Sequence, residues 1–218
     1  LQESMSRIDE QGEVIVVDNN SSDRTADIAR EYGTQLVFEA VNQISRARNA
    51  GAKIAQGEYL IFLDADTLLD QSLIRFALDL LEQGECCGGG ARVELDGELQ
   101  GLPKFSLNFW NWISRKFKLF AGSFIFCRAE LFFECGGFPE THFAGEEIVL
   151  SRKLKKESRK NGKKAIIISH PPVISSARKL AWYSDLAILR LVLPLMGMPF
   201  FLRSQKACRF WYDRPTKD

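Results

Sequence analysis

Asp64 and Asp66, one residue apart behind the apolar run Tyr59-Leu60-Ile61-Phe62-Leu63, carry the plainest chemistry in the chain. Two carboxylates at that spacing can converge on one divalent cation and leave its other positions to water and the phosphates of a nucleotide diphosphate. A polar loop with a helix cap is the bland alternative for Asp64-Ala65-Asp66. A second acidic loop, Asp18-Asn19-Asn20-Ser21-Ser22-Asp23, follows Val14 to Val17. Asp18 and the neighbouring amides, Asn20 among them, suit the edge of a base or a ribose hydroxyl. Ser22 or Asp23 suits a helix cap, and an Asx turn is the alternative for the whole loop. Arg46, Arg48 and Asn49 sit early in a stretch whose other side is small and apolar, so two guanidinium groups can reach an anionic diphosphate or simply face solvent. Glu146 and Glu147 open a helix after Gly145. The helix dipole favours their ionised form there, and one of them can serve as a general base or only complement the dipole. His142 and His170 stand alone and read as structural or substrate-facing, with His170 a weak extra metal ligand.

These residues need elements to hold them. Val14 to Val17, Leu36 to Phe38 and Tyr59 to Leu63 read as short strands, alternating with helices that stop at Gly33, Gly57 and Gly84. In the last of these helices Leu73, Phe76, Ala77, Leu80 and Leu81 follow the spacing of a core-facing side. Such alternation predicts β/α units with both faces of a parallel sheet covered, and ligands at the carboxyl ends of the strands, where both acidic loops lie. Further on, Gly88-Gly89-Gly90 reads as the lead into a strand through Val93 and Leu95. An aromatic, basic helix is expected over Phe105 to Phe120, a strand over Phe124 to Cys127 and a short helix over Arg128 to Cys135. The series ends with a helix over Glu146 to Lys160, a strand over Ala165 to Ile168 and an apolar helix over Leu180 to Leu195.

The 218 residues, 45% hydrophobic, suffice for one domain with a full core, and the net charge of +1 argues against a nucleic-acid binder. Basic character is local: Arg152 to Lys164 holds eight Lys/Arg and one acid, a balance of +7. It reads as a solvated helix or as a segment drawn to an anionic membrane surface or a phosphate-bearing acceptor. Five cysteines, two of them adjacent, fit neither a disulfide framework nor a zinc site, so a reducing, cytoplasmic compartment is expected, with the inner face of the cell membrane as a place of peripheral contact. No signal-peptide pattern opens the chain, which reads as entered partway through. Leu180 to Leu202 is apolar but interrupted, too short to span a bilayer and suited to a closing helix or a peripheral contact.

Taken together, Val14 to Asp23, Ser45-Arg46-Ala47-Arg48-Asn49-Ala50-Gly51, and Gly57 to Asp66 closely resemble the family 2 glycosyltransferases of the GT-A fold. The likeness continues through Gly122-Ser123-Phe124, Gly136 to Glu140 and Gly145-Glu146-Glu147. It implies an α/β fold with a mostly parallel central sheet flanked by helices: a Rossmann-like nucleotide-sugar-binding half (1–95), an acceptor half (96–175) and a C-terminal helical tail (176–218). It also implies inverting transfer from a UDP- or GDP-type sugar donor to a glycan or lipid-linked acceptor hydroxyl. Asp18, Asn20, Arg46, Arg48, Asp64 and Ala65 would contact the nucleotide, Asp64 and Asp66 the Mg or Mn ion. Glu147 would be the base, with Glu146 a competitor because Glu-Glu stands where the family usually has Glu-Asp. The family's first strand and its Pro/Asn/Glu loop have no counterpart ahead of Val14. A non-catalytic nucleotide-sugar or membrane-surface module on the same scaffold is the rival reading. A nucleotidyltransferase would need a Gly-rich phosphate loop near the start, and none is seen.

Overall fold

The structure is a computed structural model that describes residues 11–84, 86–178 and 199–212. Strand β1 (Ile15–Asp18) passes through helix α1 (Thr25–Glu31) to β2 (Gln35–Phe38), and the two strands pair in parallel. Helix α2 (Ile44–Ile54) leads to β3 (Tyr59–Leu63), then β4 (Thr67–Leu68), α3 (Gln71–Glu82) and β5 (Cys86–Leu95). Helix α4 (Gly101–Phe117), β6 (Phe124–Arg128), α5 (Ala129–Glu134), α6 (Glu146–Lys160) and β7 (Lys164–Ser175) follow. A 3-10 turn (Pro199–Arg203) and α7 (Arg209–Tyr212) close the described chain. The apolar helix expected over Leu180 to Leu195 falls outside the described residues.

The α/β class with helices on both sheet faces is as expected, and the main sheet, ordered β3-β6-β5-β7-β4, is mixed. Parallel pairing joins β1 to β2 and β5 to β7, while β6 runs antiparallel between β3 and β5 and β4 antiparallel to β7. Apolar periodicity carries no mark of strand direction, which is why spacing alone leaves β6 undecided. Among the described residues β1 pairs only with β2 and β3 only with β6.

Alternation along the strands sends side chains to two cores. Ile125 and Cys127 of β6 join Leu60, Ala52 of α2, Phe132 of α5 and Leu150 and Leu154 of α6 on one face. Phe124 and Phe126 join Leu73, Ala77 and Leu81 of α3, with Leu107 and Trp110 of α4, on the other. Asp70 caps α3 by accepting from the Ser72 N–H at 2.7 Å.

Two expectations need correction. Gly88-Gly89-Gly90 lies inside β5 rather than before it. A Cβ on Gly89 would sit 1.9 Å from the Ile166 carbonyl oxygen, and one on Gly88 2.6 Å from that of Phe126, so missing side chains let β6 and β7 close on β5 from both sides. Gly89→Ala is expected to cost about 1–3 kcal/mol or more through overpacking. A lower urea midpoint at unchanged slope would report it. Strand β7 also runs beyond Ile168 to Ser175 and includes Pro171-Pro172. The prolines are tolerated because the ladder to β5 steps from Ala91↔Ile168 to Val93↔Val173, leaving that stretch of β7 unpaired with β5.

Candidate active site

Helix α2 is the part that brings the site together. Its inner side is small: a Cβ on Gly51 would lie 3.0 Å from Val17 Cγ2, so the helix rests directly on β1. Its other side carries Gln43, Ser45, Arg46, Arg48 and Asn49 toward the second half of the chain.

Arg48 is the centre of the arrangement. One guanidinium nitrogen donates to Glu146 Oε1 at 2.9 Å and another to Asp64 Oδ1 at 2.8 Å and the Gly122 carbonyl at 3.1 Å. The group also lies 5.2 Å from the centroid of the Phe138 ring. The Arg48 and Glu146 side chains are 11% and 4% exposed, so this ion pair is buried while Asp64 remains open on its other side. Burial disfavours the Arg48 charge, yet Asp64, Glu146 and Glu147 together hold its pKa above the ordinary value.

Gly145, in the left-handed region at φ 72°, starts α6 and turns Glu146 inward toward Arg48. Its neighbour Glu147 has a different state. Burial and the adjacent Glu146 charge push the Glu147 carboxyl up to about 8, against the pull of Arg48. Of the two acids, one is thus fixed by a buried ion pair and the other is set to exchange a proton near neutral pH.

Asp64 and Asp66 flank exposed Ala65 in the turn between β3 and β4, closed by the Thr67 N–H donating to the Asp64 carbonyl at 3.1 Å. Asp64 has engaged one oxygen with Arg48, and Arg178 stands 3.9 Å from Asp66. Both carboxylates are partly exposed, which suits a hard divalent cation that keeps several water or phosphate oxygens. Among the described residues no group of three or more His, Cys, Asp or Glu side chains gathers to cage a metal, His170 included.

Asp18, at the carboxyl end of β1, is buried and accepts from the Ser21 N–H, three residues on, at 2.9 Å. Asn20 is exposed with φ 57°. Asp23 accepts from the Thr25 N–H at 3.0 Å, but Arg24 holds the N-cap position of α1 with no side-chain cap, so neither Ser22 nor Asp23 caps that helix as expected. Arg46 pairs with Glu39 at 3.2 Å and Glu140 at 2.9 Å, so it braces the loop after β2 against the loop before α6. Arg48, Asp64 and Glu146 therefore meet directly, with Glu147 beside them. Arg46, Asp18 and Asn20 have other contacts or lie at the rim.

Four polar side chains brace the site, and of these Gln43 carries no sequence signal of its own. Asn19 donates to the Glu39 carbonyl at 3.1 Å and accepts from the Gln43 N–H at 2.9 Å. Gln43 donates to the carbonyls of Glu140 (2.7 Å) and His142 (2.8 Å), and Ser45 to that of His142 (3.2 Å). Asn49 bonds both to the Phe138 carbonyl at 2.9 Å and from its N–H at 3.0 Å. The C-terminal segment closes one side: the Phe143 N–H donates to the Leu202 carbonyl at 2.7 Å, and Tyr212 Oη accepts from the Ile44 N–H at 3.3 Å. Burial pushes the thiols of Cys86, Cys127 and Cys208 up, and all five cysteines are free.

One arginine thus joins the carboxylate at the end of β3 to an acid at the start of α6, and the fold that places them is that of the GT-A glycosyltransferases. Residues 1–349 of S. aureus TarS in complex with UDP-GlcNAc superimpose with a TM-score of 0.64 at 17% identity, covering 100% of this chain and 63% of that one. The mannosyltransferase PcManGT from Pyrobaculum calidifontis, in complex with GDP-Man and Mn2+, gives 0.61 at 22% identity over 95% of this chain and 60% of its own. The model of glycosyl transferase family 2 matches residues 1–136, and the chain belongs to that family. The dolichol-phosphate mannosyltransferase of Pyrococcus furiosus is 29% identical over 113 residues, 47% of this chain and 32% of that protein. The chain spans less than a third of the length of the first curated relatives it matches.

Proposed function

We propose that this domain transfers a sugar from a nucleotide-sugar donor to an acceptor hydroxyl with inversion at the anomeric carbon. One observation carries the reading: the Arg48 guanidinium holds Asp64, at the end of β3, and Glu146, at the start of α6, in one grip. That grip sets Glu147 next to the acidic motif.

Glu147 is the general base in this reading. Its raised proton affinity matches a group that must take a proton from a hydroxyl near neutral pH. The acceptor oxygen then attacks the anomeric carbon from the face opposite the diphosphate, which leaves with the bonding pair. Asp18 and Asn20 line the nucleotide side, and Asp64 and Asp66 would hold a Mg or Mn ion, which supplies charge neutralisation to the diphosphate. Arg48 positions Asp64 and Glu146, and Glu146 keeps Arg48 charged and oriented. The solved complexes with UDP-GlcNAc and with GDP-Man and Mn2+ support a donor of this class. The dolichol-phosphate relative and the exposed cations Arg152, Lys156, Arg159 and Lys160 on α6 support a lipid-linked acceptor.

Thermal unfolding with a panel of UDP- and GDP-sugars, with and without manganese, tests the proposal together with nucleoside diphosphate release. At donor about a hundredfold above its Kd, the gain is about 2.7 kcal/mol. Asp66→Ala is expected to remove the manganese-dependent part of that gain. Full manganese dependence in the variant would rule out the metal role. A Tm shift without any release of nucleoside diphosphate would make the domain a binding module only.

A further inference from the structure

Helix α4 is apolar on two opposite sides, and among the described residues only one of them packs against the rest of the domain. Leu107, Trp110 and the buried Asn111 and Ser114 face inward. Asn111 fixes that side by accepting from the Val93 N–H at 3.0 Å and donating to the Val93 carbonyl at 2.9 Å. On the far side Leu102, Phe105, Phe109, Trp112 and Lys116 recur at spacings of three and four, which places them in one row along the helix. The row is a surface: Phe105 is 67% exposed, Trp112 48% and Phe109 45%. Its rings stack on one another, Phe105 on Phe109 with centroids 6.2 Å apart and Phe109 on Trp112 at 6.0 Å, and the Lys116 ammonium lies 4.7 Å from the Trp112 ring.

The charge around this ridge has one sign. From Leu99 to Cys127 the chain holds four cations, Lys104, Arg115, Lys116 and Lys118, and no carboxylate. Where α4 ends, Lys155 of α6 donates to the Phe117 carbonyl at 2.5 Å, so basic α6 meets the C-terminal end of the ridge helix. Exposed Arg152 and Arg159 stand close enough to Lys155 to depress its pKa after burial has done so.

We propose that the outer face of α4 is a membrane-docking surface, inserting Phe105, Phe109 and Trp112 among lipid headgroups while the cations around Lys116 and Arg152 bind anionic ones. Aromatic side chains with a flanking basic rim are what an interfacial helix lying in the bilayer plane requires. A second copy of the chain fits worse, because symmetric pairing of the ridge sets like charges against each other. No helix among the described residues is long and apolar enough to cross a membrane, so contact through this face would be peripheral. The segment that follows α4 reaches the site, since the Gly122 carbonyl accepts from Arg48 at 3.1 Å. Docking can be measured without any sugar transfer, so its failure and that of the proposed function are separable.

Co-sedimentation of the full chain with vesicles of phosphatidylcholine alone, and of phosphatidylcholine mixed with phosphatidylglycerol, tests the surface. The wild type should pellet with the mixed vesicles, and added salt should release most of it. Phe105→Ser, Phe109→Ser and Trp112→Ser combined should weaken partitioning at least about tenfold. Arg115→Ala and Lys116→Ala should each weaken it about fivefold. Circular dichroism and Tm of these variants should match the wild type, since the altered side chains face outward. Wild type that ignores both vesicle types overturns the proposal, as does unchanged binding by the folded triple variant. A wild-type dimer that the triple variant loses, with no vesicle binding, would assign the ridge to self-association instead.

Discussion

Glu147→Gln is expected to lower sugar transfer by about 10²- to 10⁴-fold while leaving donor binding nearly intact, because it removes the proton acceptor and keeps the shape. In the wild type, kcat/KM should rise with pH through a midpoint near 8, the value to which burial and Glu146 push this carboxyl. Stability moves the other way. Folding raises the Glu147 pKa from its ordinary 4.5 to about 8, so the stabilisation from the bound proton is complete below 4.5 and is lost as pH climbs through 8. Glu147→Gln should therefore melt above the wild type at pH about 9 and close to it near pH about 5. An unchanged rate in Glu147→Gln, with transfer abolished in Glu146→Gln, would move the base to Glu146.

Arg48→Met should destabilise the domain by about 3–5 kcal/mol, the scale for removing one partner of a buried ion pair. The cost arises at Glu146, which is almost fully enclosed and loses its only described ion-pair partner, while partly exposed Asp64 can turn to water. Arg48→Met combined with Glu146→Gln should recover a large part of the loss, since no buried charge is then left alone. A urea double-mutant cycle reads this directly. Additive losses would mean that the two side chains do not act as a pair.

The two halves of the site were legible to different degrees. Asp64-Ala65-Asp66 stood out because an apolar strand ending in acids is a local pattern, and β3 runs over Tyr59 to Leu63 as the sequence predicts. Helix α3 was equally open to reading, since Leu73, Ala77 and Leu81 repeat on one face and are all buried. Arg48 was visible as a cation but its partner was not: Glu146 lies 98 residues away, and no spacing rule spans that distance. Asn19 by its place beside Asp18 suits a base edge and Asn49 a solvated helix face, yet each braces a distant loop, because an amide in any of these roles is the same letter. The glycines of β5 misled for the opposite reason. Their usual role is to interrupt a strand, and only the closeness of Ile166 and Phe126 shows why they stay in this one.

The bonds from Gln43, Ser45, Arg46 and Asn49 to the stretch between Phe138 and His142 bear on how such domains can be recombined. A chimaera joined in the middle of the chain, with its front from one transferase and its back from another, would split this set of contacts between two parents. Each parent would supply amides cut to the other's missing carbonyls, and the imported acids would arrive misaligned. Swaps of acceptor preference should succeed more often when the first turns of α2 travel with the graft.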